Sequence, residues 1–181
     1  MPHNESMRQL PAGIRTQRAG PPDVDRVTAL VQDGIEGYRE WAPSDWVPPV
    51  PTPEQRARLR ANFENDDAWI LMALDGDELV GVVSMAGRTA AHADPPPPGT
   101  IYLWQMFVRP GWQGAGLSQA LMDLALAEAR ERGYERMTLW AAAGATQARR
   151  FYEREGWTVS GHKHDVKFGV PLVQYERGTH S

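Results

Sequence analysis

The stretch from Thr100 to Ala142 constrains this chain more than any other. Thr100 to Val108 is an apolar run rich in aromatic and β-branched residues, the profile of a strand, and it stops at Arg109-Pro110. A glycine-rich segment follows. Leu117 to Arg132 then places Leu117, Ala120, Leu121, Leu124 and Ala125 on one helical face, widened by Met122, Leu126 and Ala129, and Gly133 stops it. Arg136 to Ala142 reads as a second strand. A crossover from strand through helix to strand is right-handed, which makes the two strands parallel. The rest of the fold has to be built around that unit.

Upstream, Gly13 to Arg18 alternates weakly, as an edge strand does. Pro21-Pro22-Asp23 opens a helix in which Val24, Val27, Leu30, Val31 and Ile35 recur at helical spacing, and which should fade near Gly34 or Gly37. Pro43, Pro48, Pro49, Pro51 and Pro53 forbid a continuous helix or central strand between Tyr38 and Pro53. That loop carries Tyr38, Trp41 and Trp46. Its rings either cover the core or wall a substrate. Thr52, Pro53 and Glu54 start a helix that runs to Asn65. Ala68 to Leu74 and Leu79 to Ala86 flank the turn Asp75-Gly76-Asp77 and read as a hairpin. His92 to Gly99 is a loop, because four consecutive prolines cannot pair in a sheet.

Downstream, Thr146 to Glu155 is a shorter helix, and Trp157 to Arg177 holds two strand-like pieces split by the polar Ser160 to Asp165. The expected order is β, α, α, β, β, β, α, β, α, β, β. Residues 1–12 are polar and aperiodic, a disordered tail, which leaves 13–177 as one domain.

Composition excludes several function classes. The 181 residues contain no cysteine, so disulfides, thiolate metal sites and a cysteine nucleophile are out, and a cytoplasmic location is expected. A net charge of −4 with no dense Lys/Arg block argues against nucleic acid as a partner. No run of 18 apolar residues and no signal-peptide pattern argues against a membrane partner or secretion.

The chemistry sits between the strand and the long helix, in Arg109-Pro-Gly-Trp-Gln-Gly-Ala-Gly-Leu-Ser118. Glycines there let the backbone adopt left-handed torsions, and free N–H groups converge where a helix begins, which makes an anion site suited to phosphate. A P-loop would need Gly-Lys-Ser/Thr, but Gly116 is followed by Leu117-Ser118. A dinucleotide fingerprint would need glycine at position 119, where Gln119 stands.

Phe107-Val-Arg-Pro110 followed by Gln113-Gly-Ala-Gly-Leu-Ser118 resembles motif A of the GNAT superfamily of acyl-CoA-dependent N-acetyltransferases. Gln113 and Gly116 match, and Ser118 replaces the usual Gly or Ala. Ala148-Arg-Arg-Phe-Tyr-Glu-Arg-Glu-Gly-Trp157 resembles motif B through Ala148, Phe151, Tyr152 and Gly156, with Trp157 for the usual Phe and Ala145 for a frequent Asn.

The resemblance implies an α/β (mixed α+β) fold: a mixed, mostly antiparallel twisted sheet of about seven strands with about four flanking helices. Two splayed strands would form the acetyl-CoA cleft. The co-substrate would lie against Phe107 and Val108, with Gln113, Gly114, Ala115, Gly116, Leu117 and Ser118 on its pyrophosphate. Val108 N–H would stabilise the oxyanion and Tyr152 would protonate the leaving thiolate as general acid. The acceptor would be a small-molecule or peptide amine. Tyr38, Trp41, Trp46 and Trp104 would wall it, since aromatic rings suit a cationic or flat amine, and Gln105 is placed to hold a water.

The strand Tyr102-Leu-Trp-Gln-Met carries no carboxylate base. His92, Asp94, His162, His164 and Asp165 are loop candidates for that role. No metal is expected, Trp140 is expected in the core, and Arg149 and Arg150 are expected as solvated helix charges. Pairing through C-terminal strands, as in many relatives, implies a homodimer. The opposing reading is an acyl-CoA-binding sensor without catalysis.

Overall fold

A computed structural model describes residues 7–87, 96–165 and 169–180, with the side chains of residues 163–165 outside that description. Seven strands form one sheet in the order β1-β2-β3-β4-β5-β7-β6. They are β1 (Ile14–Arg18), β2 (Ala68–Asp75), β3 (Glu78–Ala86), β4 (Thr100–Val108), β5 (Arg136–Ala142), β6 (Thr158–Asp165) and β7 (Val170–Gly178). The helices are α1 (Val24–Glu36), α2 (Pro53–Glu64), α3 (Leu117–Glu131) and α4 (Thr146–Arg154). Every neighbouring pair is antiparallel except β4 and β5, which are parallel as the crossover requires.

The sheet separates two layers. Leu117, Leu121, Met122, Ala125 and Ala129 of α3 bury one face of that helix against Val83, Met85, Ile101, Leu103 and Met137. Val24, Val27 and Leu30 of α1, with Phe63 of α2, cover Ile70, Met72, Leu74 and Val82 on the other face. The alternation of strand side chains divides β3 and β4 between the two cores. A capping box starts α2: Gln55 N–H donates to Thr52 Oγ1 at 3.3 Å, and Gln55 Oε1 accepts from Thr52 N–H at 2.8 Å. Among the described residues no helix is long and apolar enough to cross a membrane.

Three expectations change. Ser160 to Asp165 does not divide two strands: β6 runs through it, and the break falls between Asp165 and Val170. β6 is the last strand of the sheet, so only one of its edges needs a partner, and a polar sequence meets that need. The domain extends past residue 177. β7 ends at Gly178, and the buried Thr179 donates its hydroxyl to Tyr134 C=O at 2.6 Å. The N-terminal segment is docked from Arg8, whose guanidinium reaches Asp123 at 2.7 Å and Glu155 at 2.6 Å, while Leu10 packs on the α3-side core.

Candidate active site

The parallel pair opens almost at once. β4 and β5 are in register only at Thr100–Arg136, Ile101–Met137 and Tyr102–Thr138. Beyond that point β5 stays paired with β7 through Ala142, and β4 stays paired with β3 through Val108. The β5-facing edge of β4 from Leu103 to Val108, about 20 Å of strand, therefore borders a wedge. A β-bulge at Trp104 marks the divergence, since Met85 pairs with Leu103 while Ser84 pairs with Gln105.

Register decides which backbone groups face the wedge. Arg109 N–H donates to Val80 C=O at 2.9 Å, with Val108 opposite Gly81 and Phe107 opposite Val82. In an antiparallel ladder alternate residues turn to the partner strand. Phe107 thus spends its N–H and C=O on Val82, and those of Val108 point away from β3 into the wedge. Val108 C=O accepts there from Gln113 Nε2 at 3.3 Å.

The chain closes the mouth of the wedge with a 3₁₀ turn, Pro110–Trp112, and then the glycine bend into α3. Gly114 and Gly116 have φ of +80° and +85°, the left-handed region that glycine reaches without strain. A Cβ at either would meet nothing within 4 Å, so the bend is open on its outer side. Among the described residues, no backbone carbonyl takes the N–H of Gly114, Gly116, Leu117, Ser118 or Gln119. The amides of Gln113 and Ala115 are engaged, with Pro110 C=O at 3.2 Å and Trp112 C=O at 3.4 Å. Free donors thus converge on the positive end of a 15-residue helix. Gln119 belongs to this set, although in the sequence it is notable only for breaking a dinucleotide fingerprint.

Tyr152 lies on α4, with its ring centroid 5.4 Å from Phe151, 6.0 Å from Trp157 and 5.8 Å from Tyr175. Burial pushes its phenol well above the ordinary tyrosine range, and the nearby phenols of Tyr38, Tyr102 and Tyr175 push it further. Tyr38 belongs to the α1 side of the sheet and Tyr152 to the α3 side, so their proximity is what the wedge allows.

The acceptor-side rings are drawn together, with changes. Tyr38 lies 4.8 Å from Trp41 and 6.2 Å from Trp46. Trp41 packs so closely on Gly144 that a Cβ there would collide with its ring. Trp46 is only 8% exposed, packed with Ile35, Ala142, Val170 and Leu172, so it supports the wall from behind. Trp104 stands apart, against the α1–α2 core, its indole N–H buried without a partner among the described residues. Gln105 Oε1 accepts from Ser84 Oγ at 3.3 Å.

Trp140, expected in the core, is half-buried and packs, like the Phe107 ring, against the cluster of Ile35, Trp46, Ala142, Val170 and Leu172. Arg149 is no solvated charge: its Nε donates to the Tyr175 hydroxyl at 3.0 Å and its Nη1 to Ala143 C=O at 3.1 Å. Of the loop candidates for a base, His162 is exposed on β6, His92 and Asp94 lie outside the described residues, and so do the side chains of His164 and Asp165. No group of three potential metal ligands occurs among the described residues.

A mixed seven-stranded sheet that parts at its one parallel pair, with an amide-lined bend at the mouth, defines a GNAT-like α/β protein. The chain belongs to the acetyltransferase (GNAT) family, whose model matches residues 35–157. It is 27% identical over 150 residues to mycothiol acetyltransferase from Propionibacterium freudenreichii, covering 83% of this chain and 45% of that protein. It is 33% identical over 93 residues to the Geodermatophilus obscurus mycothiol acetyltransferase, covering 51% of this chain and 30% of that protein. The chain thus spans less than half the length of these curated relatives. Among solved structures, an N-acetyltransferase from Staphylococcus aureus superposes with a TM-score of 0.70 at 15% identity, covering 93% of this chain and 99% of that one. A ribosomal-protein-alanine N-acetyltransferase from Brucella melitensis superposes with a TM-score of 0.69 at 20% identity, covering 91% and 99%.

Proposed function

We propose that the protein transfers an acetyl group from acetyl-CoA to a primary amine, by direct attack while both substrates are bound. The observation that carries this reading is the wedge between β4 and β5 with free amides at its mouth. Unpaired strand and helix-end groups at such a place require a ligand or water. A diphosphate fits the bend, because glycine leaves the approach clear and five N–H groups converge on it.

When bound, acetyl-CoA supplies a thioester whose acyl carbon accepts the amine. Gly114, Gly116, Leu117, Ser118 and Gln119 hold the diphosphate through their amides. Val108 offers its N–H to the acyl oxygen as negative charge develops there. Tyr152 gives its proton to sulfur as the C–S bond breaks and the N–C bond forms. The amine loses its own proton to water, since β4 carries no carboxylate. A free alkyl amine is protonated at neutral pH, so the rate rises with pH as the neutral amine increases. Tyr38 and Trp41 receive the amine-bearing group, and rings of this kind favour a cationic or flat acceptor.

The test is CoA thiol release from acetyl-CoA with arylalkylamines, polyamines and α-amino dipeptides. We expect turnover with at least one class and a loss of at least about tenfold in kcat for Tyr152→Phe. Burial keeps the Tyr152 phenol protonated beyond the ordinary range, so this loss should be the same at every pH from 6 to about 9. Acetyl-CoA binding without turnover by any amine would instead mark a silent acyl-CoA-binding module.

A further inference from the structure

α4 carries Tyr152 and rests on the α3-side core through the partly buried Phe151 and Tyr152. It is nine residues long, none of them fully buried, and its N-cap Ala145 makes no side-chain capping bond. A helix this short is not stable by propensity and depends on tertiary contacts.

Two of its side chains converge on one hydroxyl. Tyr175 lies in the middle of β7, opposite Leu139 of β5 and Val159 of β6, and is fully buried. Its hydroxyl accepts from Arg149 Nε at 3.0 Å and donates to Glu153 Oε1 at 2.9 Å. Arg149 and Glu153 are one helical turn apart and 4.0 Å from each other, so the hydroxyl grips two successive turns of α4. Arg149 also donates to Ala143 C=O at 3.1 Å, which ties the same turn to the residue after β5. Tyr152 adjoins Glu153 in sequence, and its ring rests 5.8 Å from the Tyr175 ring.

We propose that Tyr175, clasped between Arg149 and Glu153, is a positioning residue that fixes α4 and thereby aims Tyr152 into the wedge. The inference rests on the acid role given to Tyr152 above. The hydroxyl has no proton to give the reaction, since its one O–H is already donated to Glu153. Removing it leaves the ring contact intact and frees the helix. Misplacement of a reacting group by about 1 Å costs up to about a hundredfold in rate.

The experiment is a double-mutant cycle on kcat with acetyl-CoA and the best amine of the panel. Tyr175→Phe should lower kcat about tenfold when Tyr152 is present, and less than about twofold in the Tyr152→Phe background. KM for acetyl-CoA should stay within about twofold, because the amide bend is on α3. Equal losses in both backgrounds, or no loss in either, overturn the proposal. Should Tyr175→Phe not fold, the half-exposed Glu153 provides the alternative pair. Glu153→Ala should lose activity, and Glu153→Gln, which still accepts the hydrogen bond, should recover most of it. Full activity in Glu153→Ala overturns the clasp. Undiminished turnover of Tyr152→Phe alone would instead sink the acid role, so the two failures are distinct.

Discussion

Gly116 shows how much one residue can hold. Its φ of +85° makes the turn from the wedge into α3, and the absence of a side chain leaves the helix-end amides uncovered. A β-branched residue there meets a left-handed penalty of about 1–2 kcal/mol and sets a side chain over the bend. Gly116→Val should weaken acetyl-CoA binding by at least about tenfold by titration calorimetry. An unchanged Kd would remove the bend from the binding site. Single residues of this kind were legible in the sequence: the glycines and Tyr152 lie in contiguous motifs. Arg149 reads as a solvated charge in the sequence because its partner, Tyr175, is far away along the chain. Periodicity and composition report a residue's neighbours in sequence, and side-chain partners are set by topology.

At the scale of elements, the two edges of β4 differ. Its β3-facing edge is bonded along the strand, and its other edge is paired only up to Tyr102. Hydrogen exchange should resolve this within one strand. The Phe107 amide, turned to Val82, should exchange slowly in the free protein. The Val108 amide, facing the wedge, should exchange fast and slow down when acetyl-CoA is added. Equal protection of both amides in the free protein would mean that the wedge is closed. The helices and most strands were legible, because amphipathic period and turn residues are local signals. Ser160 to Asp165 looks in sequence like a divider between two strands because it is polar, yet it forms most of β6, since an edge strand tolerates polarity on both faces. The bulge at Trp104 has no sequence signature; only the register with β3 reveals it.

For the whole molecule, the N-terminal segment acts as a strap. Arg8 joins Asp123 on α3 to Glu155 beyond α4, two elements on one side of the sheet. Burial alone would push the Asp123 carboxyl up, but the Arg8 hydrogen bonds and charge, helped by Arg177, hold it below the ordinary range. A carboxyl depressed on folding adds stability above its unfolded pKa of about 4 and loses it as pH falls through the folded value. Arg8→Ala should therefore cost about 1 kcal/mol at pH 7 in denaturant melts. That difference should shrink below about pH 4. A penalty that does not change with pH would place the stabilisation in Leu10 packing instead.

By itself the sequence determined the order of elements, the parallel crossover, the glycine bend and the phenol of α4, because each is written in adjacent or periodically spaced residues. Only the tertiary structure decided which edge of β4 is free, which rings meet Tyr38, and what holds Tyr152. Those depend on register and on contacts between residues distant in the chain, and loop closure brings such residues together without leaving a local trace.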